Sequence, residues 1–159
     1  MSVSSHAKAL VIVAVAVVAA SLVPAATARP AFSGNACTLI PASRVAALHI
    51  AVKCTPAQVA GSWRGLWTGS NGGRIYLMIV KPPANLLPQL KASATGRPVN
   101  GVGSWARDAG LSAGNTGASV LFVVGPYWVN LGVATPSKWP LKSTAPVIAM
   151  AKAIAPKLR

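Results

Sequence analysis

Trp63-Arg64-Gly65-Leu66-Trp67-Thr68, then Gly69-Ser70-Asn71-Gly72-Gly73, then Arg74-Ile75-Tyr76-Leu77-Met78-Ile79-Val80: the reading of this run decides the fold. Two β-rich stretches flank Ser70, Asn71, Gly72 and Gly73, residues that tolerate the positive backbone angles of a tight turn, so the run predicts an antiparallel hairpin. Pairing Thr68 with Arg74 puts Trp63, Gly65 and Trp67 on one face with Ile75, Leu77 and Ile79. Arg64, Leu66, Tyr76 and Met78 then share the other. Both faces are partly apolar. The sheet is therefore expected to be covered by helices on one side and only partly wet on the other, with Trp63 and Trp67 buried.

Upstream, Pro41 suits a first helical position, and Val45, Ala46 and Leu48 form a short apolar stripe that should end near His49, where an imidazole also suits the helix dipole. Thr55 and Pro56 open a weaker helical turn around Ala57 to Val59. Downstream, Pro82 and Pro83 stop the hairpin, and Asn85 is placed to cap a short helix through Leu86, Leu87, Leu90 and Lys91, with Pro88 tolerated in its first turn. Gly96 to Gly103 reads as a loop. Trp105 to Leu111 predicts a strand, Ser112 to Gly117 a polar turn, and Val120 to Val124 a further strand. Gly125 and Pro126 then turn the chain into Tyr127 to Val133, its antiparallel partner. Thr144 is placed to cap a closing helix with Val147, Met150, Ala151 and Ile154 on one face and Lys152 and Lys157 away from it. The expected fold class is α+β: a single domain with an antiparallel sheet of about five strands covered by short helices, in the order α-ββ-α-βββ-α.

The N-terminal stretch has a different grammar. Met1 to Lys8 carries His6 and Lys8, Ala9 to Val23 is apolar, and Pro24 leads into Ala25, Ala26, Thr27 and Ala28. This is the layout of a secretory signal peptide cleaved between Ala28 and Arg29. The apolar run falls short of the roughly 20 residues that span a bilayer, although counting on to Ala28 reaches that length, so an uncleaved membrane anchor is the alternative. The expected division is 1–28 signal peptide, 29–36 flexible N-terminus and 37–159 domain, located outside the cell or in its envelope, with no integral span after cleavage. Cys37 and Cys54 are the two cysteines of the chain, and such a pair in an exported protein predicts a disulfide. Closing a loop of that size stabilises by roughly 3 kcal/mol in the chain-entropy picture. A metal site made of the two cysteines and His49 lacks a fourth ligand, so no metal or other cofactor is expected.

Asp108 is the only Asp or Glu in 159 residues, against 15 Lys and Arg, for a formal net charge of +14. An ordinary soluble chain is about 25% charged with both signs well represented. Carboxylates supply most general acids and bases, most calcium and magnesium ligands and the orienting member of most catalytic triads, so the composition argues against an enzyme. A hydrolase would need a serine, His49 and Asp108 to converge, and there is no Gly-x-Ser-x-Gly elbow. Gly101-Val102-Gly103 lacks the rest of a nucleotide-loop pattern and precedes a strand. Asp108 follows Arg107, and a lone acid among so many bases is expected to be a structural ion-pair partner.

The charge itself points to a polyanion: a cell-wall phosphate polymer, extracellular DNA or anionic lipid headgroups. Basic residues are scattered singly from Arg29 to Arg159, which favours non-specific adhesion over sequence-specific nucleic-acid recognition. Candidate anion-binding residues are Arg64, Arg74, Lys138 and Lys142. Trp128 and Trp139, near Lys138 and Lys142, are the candidate surface aromatics. A reading of another kind makes the shortage of acids an adaptation to acid surroundings, because acid unfolding mostly reflects protonation of carboxylates that the folded state holds ionised. The expectation is thus a non-enzymatic secreted or envelope-associated module, interactive or structural, with a cationic and carboxylate-poor surface. Its alternative is a small apolar-ligand or lipid-binding protein with a pocket between sheet and helix.

Certain short segments also point outward. The opening Cys37-Thr38-Leu39-Ile40, a short helix, the second cysteine, the segment Val99-Asn100-Gly101-Val102-Gly103-Ser104-Trp105-Ala106 and the closing Pro156-Lys157-Leu158 resemble a family of small secreted bacterial domains of unknown function. Many of its members are lipoproteins whose corresponding segment reads Val-Pro-Gly-Val-Gly-Asp-x-Ala. Here Asn100 stands for the proline, Ser104 for the aspartate, and no lipid-attachment cysteine is present. The resemblance implies a disulfide and an α+β sandwich, and it brings no catalytic residues with it.

Overall fold

The computed structural model describes residue 32 and residues 34–50, 53–59 and 61–159; the expected leader, with its cleavage point at Ala28 and Arg29, lies outside them. The hairpin is present as read. Strands β2 (Ser62–Thr68) and β3 (Arg74–Val80) pair in antiparallel register with Thr68 opposite Arg74, Trp67 opposite Ile75 and Gly65 opposite Leu77. The turn closes through Gly69 N–H to Gly73 O at 2.9 Å, while Asn71 accepts the Gly73 N–H on its side-chain oxygen at 3.1 Å. Trp67, Ile75, Leu77 and Ile79 are buried, and Trp63 is half-buried in an edge-to-face cluster with Phe32 and Tyr127. Gly65 is what makes room for Trp67: a β-carbon there would stand 2.8 Å from the indole.

Around the hairpin the sheet is wider than expected. Strands β1 (Lys53–Val59), β4 (Arg97–Pro98), β5 (Trp105–Leu111), β6 (Gly117–Val124) and β7 (Tyr127–Ala134) complete a seven-stranded antiparallel sheet in the order β1-β2-β3-β7-β6-β5-β4. Two consecutive meanders, β1 to β3 and β4 to β7, are zipped together along β3 and β7, where Leu77 faces Leu131 and Ile75 faces Val133. Helices α1 (Ala42–Ala46), α2 (Leu87–Ser93) and α3 (Ala145–Ile154) give the order α-βββ-α-ββββ-α, which is the expected order with one edge strand added to each block.

Both additions correct the sequence reading for a physical reason. Thr55 to Val59, expected as a helical turn, is the edge strand β1, paired to β2 from Lys53 opposite Thr68 to Val59 opposite Ser62. It has no buried residue to produce a periodic signal, and Pro56 is acceptable because an edge strand leaves one row of N–H groups unpaired. Arg97 and Pro98, expected inside a loop, pair with Asp108 and Arg107 as the opposite edge. Asn85 does not cap α2, which takes Leu86 at the cap position.

Helix α3 lays Val147, Met150, Ala151 and Ile154 into one core with Val120, Phe122, Val129 and Leu131 of the sheet, as the stripe predicts. Helix α1 adds Val45, the chain beyond it adds Leu48, and the helical rise stops at His49, whose φ of 56° turns the chain away. Cys37 and Cys54 form a disulfide with Cα atoms 5.9 Å apart, tying the 3-10 turn Ala36–Thr38 to β1. Since β1 is otherwise held by its ladder with β2, the Cys37→Ser/Cys54→Ser variant is expected to be about 3 kcal/mol less stable in a urea titration. Equal midpoints and slopes for the two proteins would show that the tie contributes nothing.

Candidate functional site

Strand alternation divides the sheet into a face buried under helices and a second face made of the intervening residues. On the second face, register lines up Arg64, Met78, Asn130, Leu121 and Arg107 in one row across β2, β3, β7, β6 and β5. The neighbouring row is Leu66, Tyr76, Gly132 and Ser119, and the next is Thr68, Arg74, Ala134 and Gly117. Because the middle strands carry Gly117, Ser119 and Gly132 there, the surface dips into a trough of about 510 Å³ between Tyr76 and Leu66 on one side and the bulged Ala109–Ser112 segment on the other. Leu66 is 40% exposed at its rim.

Lys53, Arg64 and Arg74 are exposed on this face and Arg107 is half-buried. Arg107 lies over the Trp105 ring at 6.0 Å and donates to Gly96 O at 3.2 Å, so its guanidinium is held in place. Strands are spaced by about 4.8 Å, so Arg64 and Arg107, four strands apart in one row, stand about 19 Å from each other, and Arg74 lies about 13 Å along β3 from that row. A single phosphate cannot bridge such distances.

One expected surface aromatic is corrected. Trp128 is only 8% exposed. It sits on β7 opposite Val80 and Val123 and stacks against Trp105 at 5.5 Å and 28°, so Trp105 is the ring that meets solvent and Arg107. Nearness in sequence to Lys138 is no guide to exposure, because a strand residue's neighbours are set by register.

Asp108 faces the opposite way from Arg107, as successive strand residues must. It is 4% exposed, accepts the Gly110 N–H at 2.8 Å and the Thr144 hydroxyl at 2.6 Å, and has Arg97 Nη2 at 3.6 Å. Its ion-pair partner is thus Arg97, the residue opposite it on β4, and its hydrogen bonds fasten the first residue of the α3 cap to β5. Neither of those bonds goes to His49. Among the described residues no three of His, Cys, Asp and Glu come together.

Lys138, Lys142 and Trp139 occupy a different place. The chain between β7 and α3 folds over the end of the sheet against the residues following α1, enclosing a cleft of about 570 Å³ with His49, Leu48, Leu141 and Pro146 in its walls. His49 and Trp139 are stacked at 5.1 Å and 18°, and Lys138 Nζ lies 5.4 Å from the Trp139 ring centre. Asn71 donates to His49 O at 2.5 Å, and Leu141 N–H donates to Asn115 O at 2.6 Å, so both walls are tied to the sheet's loops. The four candidate anion-binding residues therefore separate into two sites: Arg64 and Arg74 on the sheet, Lys138 and Lys142 at the cleft. The His49–Trp139 pair has no sequence signal, since the two rings are brought together only by the fold. No family model, curated protein or solved structure matches the chain.

Proposed function

We propose that the protein is a non-catalytic, secreted or envelope-associated binding module that holds an extended phosphate polymer against the open face of its sheet. The observation that carries this reading is the second face itself: Lys53, Arg64, Arg74 and Arg107 spread over a surface of Leu66, Tyr76 and Trp105, in a chain whose one acidic side chain points elsewhere. Cations about 10 Å or more apart, by the strand-spacing estimate of about 4.8 Å, match several charges of one polymer better than a single small anion. Aromatic and aliphatic side chains between them give a polymer's apolar parts a place to rest without reading a sequence. The disulfide accords with an exported chain, and among the described residues no helix is long and apolar enough to cross a membrane.

The test compares two variants of equal charge on a long-chain polyphosphate or duplex DNA column. Arg64→Ala/Arg74→Ala is expected to lower the slope of log affinity against log salt by about 1.5, since each lost phosphate contact is worth about 0.7 to 0.9. Arg44→Ala/Lys152→Ala, on the exposed sides of α1 and α3, should change it far less. Equal losses would mean that binding follows net charge and not this face.

A second reading rests on a separate observation and is compatible with the first. With one Asp or Glu in the whole chain, the fold leans on almost no carboxylate contacts of the kind whose loss drives acid unfolding. Tm is expected to stay nearly flat between about pH 7 and about pH 3. A collapse over that range, of the kind carboxylate-rich domains show, would reject an acid-adapted design.

A further inference from the structure

We propose that the cleft walled by His49, Trp139 and Leu141 is a binding site for a small amphiphilic anion: an oxyanion head, phosphate monoester or carboxylate, on a short apolar body. This goes beyond the sheet-face reading and does not depend on it. Thr135 supplies the deciding observation. It is the first residue after β7, it is 7% exposed, and its backbone N–H is satisfied by Thr116 O at 2.7 Å, yet its buried hydroxyl has no hydrogen-bond partner among the described residues. Buried hydroxyls in native proteins are nearly always bonded, so an orphan one on a residue that lines a cleft is a hydrogen-bonding group left for a ligand's polar atom. Thr135 lines both this cleft and the adjoining hollow that reaches Asn71 and Ser137.

The charge around that hydroxyl is one-signed. Lys138 and Lys142 line the cleft, and the chain's only acid is committed to Thr144 and Gly110. An acceptor-rich, negative head is the one that gains from both ammonium groups and the hydroxyl, because charge-assisted hydrogen bonds are the stronger kind. The remaining walls are apolar: Leu48, Leu141, Pro140 and Pro146. A volume of about 570 Å³ lies within the range of small-molecule sites and leaves space for a body beyond the head. The walls are also pre-set. Trp139 N–H closes a turn onto Pro136 O at 2.8 Å and the indole is stacked on His49, so little ordering is left to binding.

The experiment is a titration of the full folded chain by two-dimensional NMR at constant ionic strength, following the Trp139 indole and Thr135 amide signals. The probes are hexyl phosphate, hexanoate, hexanol and inorganic phosphate. Expected are saturable shifts with hexyl phosphate, hexanoate or both, the stronger of the two naming the head, and binding of hexanol weaker by about tenfold or more. Thr135→Val should weaken the anions by about tenfold and Thr135→Ser should restore them. Lys138→Ala/Lys142→Ala, at exposed positions that folding does not need, gives the same loss if Thr135→Val fails to fold. Arg64→Ala/Arg74→Ala should leave these affinities unchanged, so that failure of this site and failure of the sheet-face reading are told apart. Hexanol binding as tightly as the anions, inorganic phosphate shifting the same signals without saturation, or full affinity in Thr135→Val would each overturn the assignment.

Discussion

Gly103→Ala is expected to destabilise the protein by more than about 3 kcal/mol. Two costs add. Gly103 has φ of +60°, where an L-residue pays about 1 to 2 kcal/mol. A β-carbon there would also overlap the carbonyl oxygen of Val123 on the neighbouring strand β6, and that carbonyl is already taken by Ser104 N–H at 2.8 Å. Relief requires backbone movement, because neither the carbonyl nor the loop holding it is the free end of a side chain. Gly125 separates the two costs. It has φ of +53° with nothing within 4 Å of its would-be β-carbon, so Gly125→Ala should cost only about 1 kcal/mol. Urea midpoints for the two variants measure the difference, and near-equal values would show that the contact with Val123 is soft. Gly103, the second glycine of the Val99–Ala106 segment, thus has a structural reason independent of any ligand: it lets the loop lie directly on β6.

Asp108→Ala is expected to cost about 3 to 5 kcal/mol, chiefly through the two hydrogen bonds it abandons and not through its ion pair. Hydrogen bonds to a charged acceptor are worth about 1.5 to 3 kcal/mol each, and the Thr144 hydroxyl and Gly110 N–H would be left behind in a poorly solvated place. The Arg97 guanidinium, by contrast, is 79% exposed at 3.6 Å from the buried carboxylate, so water screens its charge and the pair contributes about 0 to 1 kcal/mol. Arg97→Ala should therefore be nearly silent. Asp108→Asn keeps an acceptor for Gly110 and a polar partner for Thr144, so it should cost about 1 to 2 kcal/mol. Comparable losses for Arg97→Ala and Asp108→Ala would reverse this assignment and make the ion pair dominant.

The parts of the fold legible in sequence were those with strict alternation. Ile75, Leu77 and Ile79 against Tyr76 and Met78 specify both a strand and its buried face, and pairing of Thr68 with Arg74 follows from the short turn between them. The stripe Val147, Met150, Ala151 and Ile154 specifies α3 in the same way. β1 was not legible because it buries nothing: its strand character comes from the ladder with β2 and from the disulfide, neither of which leaves a hydropathy pattern. At the candidate sites, Arg64 and Arg74 were readable as outward residues of the hairpin. Trp105, the half-exposed ring of the stacked pair, carried no signal that set it apart from buried Trp128, and Thr135 and His49 carried no pattern pointing to a cleft.

By itself the sequence determined the strand-rich core, the disulfide pair, the near absence of acids and the outward face of the central hairpin. These depend on residue type and on spacings of two or four positions, which neighbours along the chain enforce. Only the tertiary structure decided that Asp108 meets Arg97 and not Arg107, that Arg107 joins the row of Arg64, and that His49 lies on Trp139. Those pairings follow from the register of β3 on β7 and β5 on β6 and from how the chain closes after β7. Register between distant segments is set by the whole core at once, so no local pattern encodes it.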